Sequence, residues 1–194
     1  MTDQRPMVSI AREALRPRAQ ADRMLAALGI MRDGTDLVGQ LGARLVADAF
    51  GGRQESVVNP YFDVRVGDTR IEVKARKAER ASRHLHVWVR GLEIPEPTFD
   101  ALVYVQFDPG YDVVLARCYS YAQVTQHAAH APGGRRRLIM SPVLLNAGED
   151  VTDKIVAAYD ELGPRLGARD LPDGEGAAGD PAPEAQTNGS GTGR

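Results

Sequence analysis

Apolar and polar residues alternate along YFDVRVGDTRIEVKARK (61–77), and the alternation restarts across Gly67-Asp68. A period of two marks half-buried strands, and Gly-Asp suits a two-residue hairpin turn. Closing the turn there sets Val66 against Thr69, Arg65 against Arg70, Val64 against Ile71 and Asp63 against Glu72. Phe62, Val64, Val66, Ile71 and Val73 then form a core face. Asp63, Arg65, Arg70, Glu72 and Lys74 form the opposite one.

A period of about 3.6 appears upstream. In TDLVGQLGARLVADAF (35–50) Leu37, Leu41, Leu45 and Ala49 recur every four residues, Thr35 is placed to cap, and Gly51-Gly52 ends the run. Residues 9–28 read as one or two helices broken near Pro17, and VTDKIVAAYDEL (151–162) as a helix opened by Thr152 as its candidate cap. FDALVYVQFD (99–108) and YDVVLARCY (111–119), joined by Pro109-Gly110, read as a buried hairpin of the central sheet. HLHVWVR (84–90) is a further strand, 120–130 a shorter helix, and RLIMSPVLL (137–145) either strand or loop. The order predicts a single α/β domain with a mixed central sheet flanked by helices. Its boundaries are a helical segment over 1–30, the α/β domain over 31–165, and a disordered tail over 166–194, where Gly, Ala, Pro and acids leave nothing to bury.

Composition narrows this picture. With 194 residues and 43% apolar content the chain can bury one core. No run approaches the roughly 18 apolar residues of a membrane span, and the first residues lack a signal-peptide core, so a cytoplasmic setting is expected. A lone Cys118 leaves no internal disulfide and no cysteine zinc cage; on an apolar strand it reads as a small core residue. The net charge of −2 hides a segregation: residues 64–90 carry eight basic side chains against three acidic ones, and the tail is acidic. That excess beside the hairpin points to an anionic partner or to a solvated loop.

The polar face of the hairpin raises a chemical conflict. Opposed residues have Cβ atoms about 5 Å apart, where Asp63 and Glu72 would repel. A shared divalent cation removes the conflict, and hard oxygen ligands select Mg²⁺ or Mn²⁺. Diagonal ion pairs of Asp63 with Arg70 and of Glu72 with Arg65 would relieve it equally. Lys74, on the same face, could hold a water beside a cation and contact a phosphate oxygen.

DVRVGDTRIEVK, with Asp63 on one strand and Glu72-Val73-Lys74 on the next, resembles the active-site hairpin of the PD-(D/E)XK nuclease superfamily. A preceding helix with Gly-Gln-Leu-Gly (39–42) and the two following strands extend the likeness over residues 35–130. The resemblance implies a restriction-endonuclease-like fold, with Asp63, Glu72 and the Val73 carbonyl as metal ligands and Lys74 orienting water. Many relatives carry a helix Glu where this chain has Gln40 and Ala43, with Asp36 one turn earlier, and here Gln40 is the auxiliary group. The Pro that usually precedes the first acid is displaced to Pro60.

Other features are secondary. Arg76, Lys77, Arg80 and Arg83 follow the hairpin and fit a nucleic-acid backbone, which needs charge but no base edge. Trp88 reads as a core or groove-lining indole that could stack on a base, and Arg135-Arg136-Arg137 as an exposed turn or a phosphate contact. His84 with His86, and His127 with His130, are zinc-like pairs lacking a third ligand. Gly39-x-x-Gly42 lies within a helix and so forms no dinucleotide loop. The function expected is a Mg²⁺- or Mn²⁺-dependent nuclease cutting nucleic acid, DNA before RNA, with homodimerisation compatible and no membrane partner. The alternative is a nuclease-like fold that binds nucleic acid or protein without chemistry.

Overall fold

The computed structural model describes residues 7–31, 36–56, 59–78 and 85–167. Helices α1 (Met7–Ala27) and α2 (Leu37–Phe50) are followed by strands β1 (Arg53–Gln54), β2 (Val64–Val66), β3 (Thr69–Lys77), β4 (His86–Val89), β5 (Ala101–Phe107) and β6 (Val113–Ser120). Helix α3 (Tyr121–His127), β7 (Ala129–His130), β8 (Arg136–Ile139), α4 (Pro142–Ala147), β9 (Glu149–Asp150) and α5 (Thr152–Gly167) complete it. The central sheet runs β1-β2-β3-β5-β6-β9; β3 and β5 are parallel and every other neighbouring pair antiparallel. A second, antiparallel sheet runs β4-β8-β7. The expected mixed α/β architecture is therefore present.

Alternation along the strands sorts side chains into two cores. Val64, Ile71, Val73, Ala75, Val103 and Val105 meet Leu41, Leu45 and Val46 of α2 and Ile155 and Leu162 of α5 on one face. Leu102, Tyr104 and Tyr119 on the other face meet Val87 and Val89 of β4, Leu138 of β8, Val124 of α3 and Leu144 of α4. The β5–β6 hairpin turns where expected, Asp108 Oδ1 accepting from the N–H of Gly110 (2.7 Å) and Asp112 (3.0 Å). Gly51 ends α2 in the left-handed region at φ 66°, which costs glycine little.

Several expectations need correction. Helix α1 runs unbroken through Pro17, because the carbonyl that a proline deprives of a donor lies on an exposed stretch that water can reach. The cap of α2 is Asp36, whose Oδ1 accepts from Gly39 N–H at 3.0 Å; Thr35 lies outside the described residues. Thr152 is the first residue of α5 rather than its cap. Its hydroxyl instead accepts from Ala116 N–H (2.9 Å) and donates to Asp150 (2.6 Å), pinning the helix to β6. HLHVWVR supplies β4 to the smaller sheet, and RLIMSPVLL splits into β8 and α4 at Ser141, whose hydroxyl caps the helix. Phe62 packs with the second core, because strand geometry stops at Val64 and the alternation does not continue back to it. The tail beyond residue 167 lies outside the described residues.

Candidate active site

One glycine sets α2 against the sheet and another leaves room for its cap. A Cβ on Gly42 would stand 2.7 Å from Ala75 Cβ, and one on Gly39 would stand 2.3 Å from the capping Asp36 carboxylate. Their absence lets the first turn of α2 settle over β3 and sets Gln40, only 8% exposed, in the wall of the cleft described below. The Gln40 carbonyl accepts from Gln54 Nε2 at 3.3 Å, tying that turn to β1.

The hairpin has the predicted register: Val66 opposes Thr69, Arg65 opposes Arg70 and Val64 opposes Ile71. At Asp63 the chain leaves the ladder. Its N–H donates to Ile71 O (3.0 Å), its carbonyl accepts from Glu55 N–H (2.8 Å), and its Oδ2 accepts from Val73 N–H (2.8 Å). A carboxylate thus occupies the place of the next strand carbonyl. The Val73 carbonyl leaves the strand on the same side as its N–H and faces the same gap.

Glu72 is buried, and its carboxyl lies within hydrogen-bonding reach of Asp63 while pairing with the Lys74 ammonium. Burial pushes Glu72 up to about 8; Lys74 opposes the rise and the Asp63 charge adds to it. Desolvation therefore outweighs the ion pair. Asp63, Glu72 and Lys74 border a cleft of about 400 Å³, together with Gln40, Arg76 and Trp88.

The diagonal ion pairs do not form. Arg70 turns to Asp100, with two guanidinium bonds of 2.9 and 3.1 Å, and its own N–H also donates to that carboxylate at 2.7 Å. Arg65 turns to Glu55 at 2.9 Å, its guanidinium 4.9 Å from the centre of the Phe62 ring. Both arginines leave the acid pair facing Lys74.

The basic residues after the motif separate. Arg76 lines the cleft, but Lys77 points away, its ammonium 3.9 Å from the centre of the Tyr111 ring; Arg80 and Arg83 lie outside the described residues. Trp88 is 37% exposed on the cleft wall, so it is groove-lining rather than core. Cys118 is half-buried beside the first core, and burial raises its thiol above the ordinary value. His86 meets Trp88 edge-on, His130 lies 3.5 Å from Arg136, and His84 is outside the described residues.

Three lining residues had no sequence signal that singled them out. Glu55 follows a two-residue strand too short to display a period, Asn59 forms a local turn by accepting from Tyr61 N–H (3.1 Å), and Arg90 merged into the general basic excess. The Asn-Pro-Tyr sequence could have marked the turn.

The donor set suits a hard divalent cation. Two carboxylates and a peptide carbonyl supply oxygen only, and the buried Glu72, pushed up by desolvation, stands to gain from a further positive charge beside it. Among the described residues, no group of three or more carboxylate, imidazole or thiol side chains gathers as a metal cage, so such an ion would keep several waters. No model of a known protein family matches the chain, and no curated protein matches it significantly.

Proposed function

We propose that the chain is a metal-dependent nuclease of the PD-(D/E)XK type, hydrolysing phosphodiester bonds of nucleic acid, DNA first. The observation that carries this reading is the meeting of Asp63 with the buried Glu72 beside Lys74 in an open cleft. Mg²⁺ or Mn²⁺, held by Asp63, Glu72 and the Val73 carbonyl, would supply a Lewis acid for the phosphate and a lowered pKa for water.

The chain's own groups do the rest. Val73 N–H fixes one Asp63 oxygen and so orients the carboxylate beside Glu72. The Lys74 ammonium, held by Glu72, orients the attacking water and opposes negative charge gathering on the phosphate. Gln40 contributes an amide to the wall in place of a carboxylate. Arg76 and Arg90 at the rim favour a polyanion. A cytoplasmic setting and a homodimer able to cut both strands belong to the same reading. Purified protein incubated with plasmid, linear and single-stranded DNA in Mg²⁺ or Mn²⁺ should cleave at least one of them. Glu72→Ala and Lys74→Ala should each slow cleavage by about 10²-fold or more, and undiminished activity in both variants refutes the reading.

A second reading, a binding module without chemistry, is favoured by one observation: with Glu72 pushed up to about 8, the pair carries less negative charge at neutral pH than two free carboxylates. Calorimetric titration with Mn²⁺ separates the two. A nuclease requires binding that depends on Asp63 and Glu72, and a module lacks it.

A further inference from the structure

The smaller sheet turns one face inward and one outward. Val87, Val89 and Leu138 fill the second core, while His86, Trp88 and Ile139 are exposed on the other side. Register places Arg137 directly across from Trp88 and Ile139 across from His86, so these four share the outward face. Arg90 continues β4 by one exposed residue, and the Arg135 guanidinium lies 5.4 Å from the centre of the indole. Among the described residues, none of Arg90, Arg135 and Arg137 forms an ion pair, and Arg137 Nε is buried with no hydrogen-bond partner. Glu93 lies beside Trp88, Arg90 and Arg135 without forming an ion pair with either arginine.

A solvated basic face does not require a half-exposed indole between three guanidiniums that no acid among the described residues compensates. Trp88 and Arg90 border both the acid-pair cleft and an adjoining hollow of about 260 Å³ that Arg135 also lines. The two depressions therefore join at the indole. The geometry points to a stacking platform for single-stranded nucleic acid: an unpaired base lies on Trp88, Arg90, Arg135 and Arg137 hold the flanking phosphates, and the strand leads into the cleft. Bases in a duplex are stacked on one another and offer no free face to an indole, whereas every unpaired base does. This inference names the substrate form for the nuclease reading and rests on it for the cleft's role, but binding to the platform needs no chemistry.

Trp88 is the only tryptophan in the chain, so its emission reports the platform directly. In chelator, where no cleavage interferes, an oligothymidylate of about twelve nucleotides should quench Trp88 emission in a saturable way. A hairpin duplex and a polyglutamate peptide should quench it little. By fluorescence anisotropy, Trp88→Ala should weaken single-strand binding about tenfold or more, as the loss of one stacked base implies. Trp88→Phe should keep most of it, and Arg135→Ala with Arg137→Ala should flatten the salt dependence. Unchanged Trp88 emission in the wild-type protein at saturating single strand overturns the inference, as does equal quenching by duplex or by the acidic peptide. Quenching without cleavage leaves the platform standing and removes the nuclease; cleavage without quenching does the reverse. Glu72→Gln should lose cleavage and keep quenching.

Discussion

Glu72 gives up hydration on entering the wall of the cleft, and a single ammonium does not restore the loss. Its folded value near 8 lies above its ordinary 4.5, so the folded state binds this proton more tightly than the unfolded state. The associated stability is fully present below about pH 4.5 and is lost as pH rises through about 8. In chelator, thermal melts should therefore show the transition temperature falling across that window. Glu72→Gln, which keeps the shape without the charge, should flatten the fall and melt above the wild type at the alkaline end. A wild-type transition temperature that rises toward pH 8 would contradict this. Cation binding must displace the same proton, so Mn²⁺ affinity measured by calorimetry should strengthen as pH approaches 8 and level off beyond it. Lys74→Ala removes the one neighbour that lowers Glu72. It should shift that affinity profile to higher pH and cut turnover by about 10²–10³-fold, the usual cost of losing a preorganised charge.

Helix α2 reaches β3 through Gly42, and Gln40 reaches the cleft because of that close approach. Gly42→Ala sets two opposing effects against each other: about 1 kcal/mol gained in helix propensity, and about 1–3 kcal/mol lost to overpacking. With the new Cβ at 2.7 Å from Ala75 Cβ, overpacking should win. Urea unfolding should show a net loss of about 1 kcal/mol or more, partly recovered on adding Ala75→Gly. A stabilised Gly42→Ala protein would mean that α2 does not pack as described. Asp36→Ala should cost about 0.5–2 kcal/mol through loss of its cap bond to Gly39. At this scale the strongly periodic segments were legible: α2, the β2–β3 register and the β5–β6 hairpin follow from period and turn residues alone. The two-residue strands β1, β7 and β9 were not, because so few residues cannot display a period. RLIMSPVLL was ambiguous for a different reason: Ser141-Pro142 ends a strand and starts a helix within one apolar run.

Across the whole molecule, the meeting of the acid pair beside Lys74 was legible because counting from a tight turn brings the two segments together, even though the ladder stops at Val64, one residue short of Asp63. The fate of Arg65 and Arg70 was not, since Glu55 and Asp100 come from segments 10 and 30 residues away. Nor was the joining of Trp88 and Arg90 to the cleft, which depends on the smaller sheet docking beside the larger. That docking gives the molecule one cleft with an acidic floor and a cationic, aromatic flank. The central claim is that the floor does chemistry, and comparing nicking of single-stranded circular DNA in Mg²⁺ by the wild-type protein and by Glu72→Gln tests it most directly. A wild-type protein that nicks, beside a variant slowed by about 10² or more, is the predicted result. Equal rates in the two proteins, or no nicking by the wild type on any nucleic acid, would contradict it.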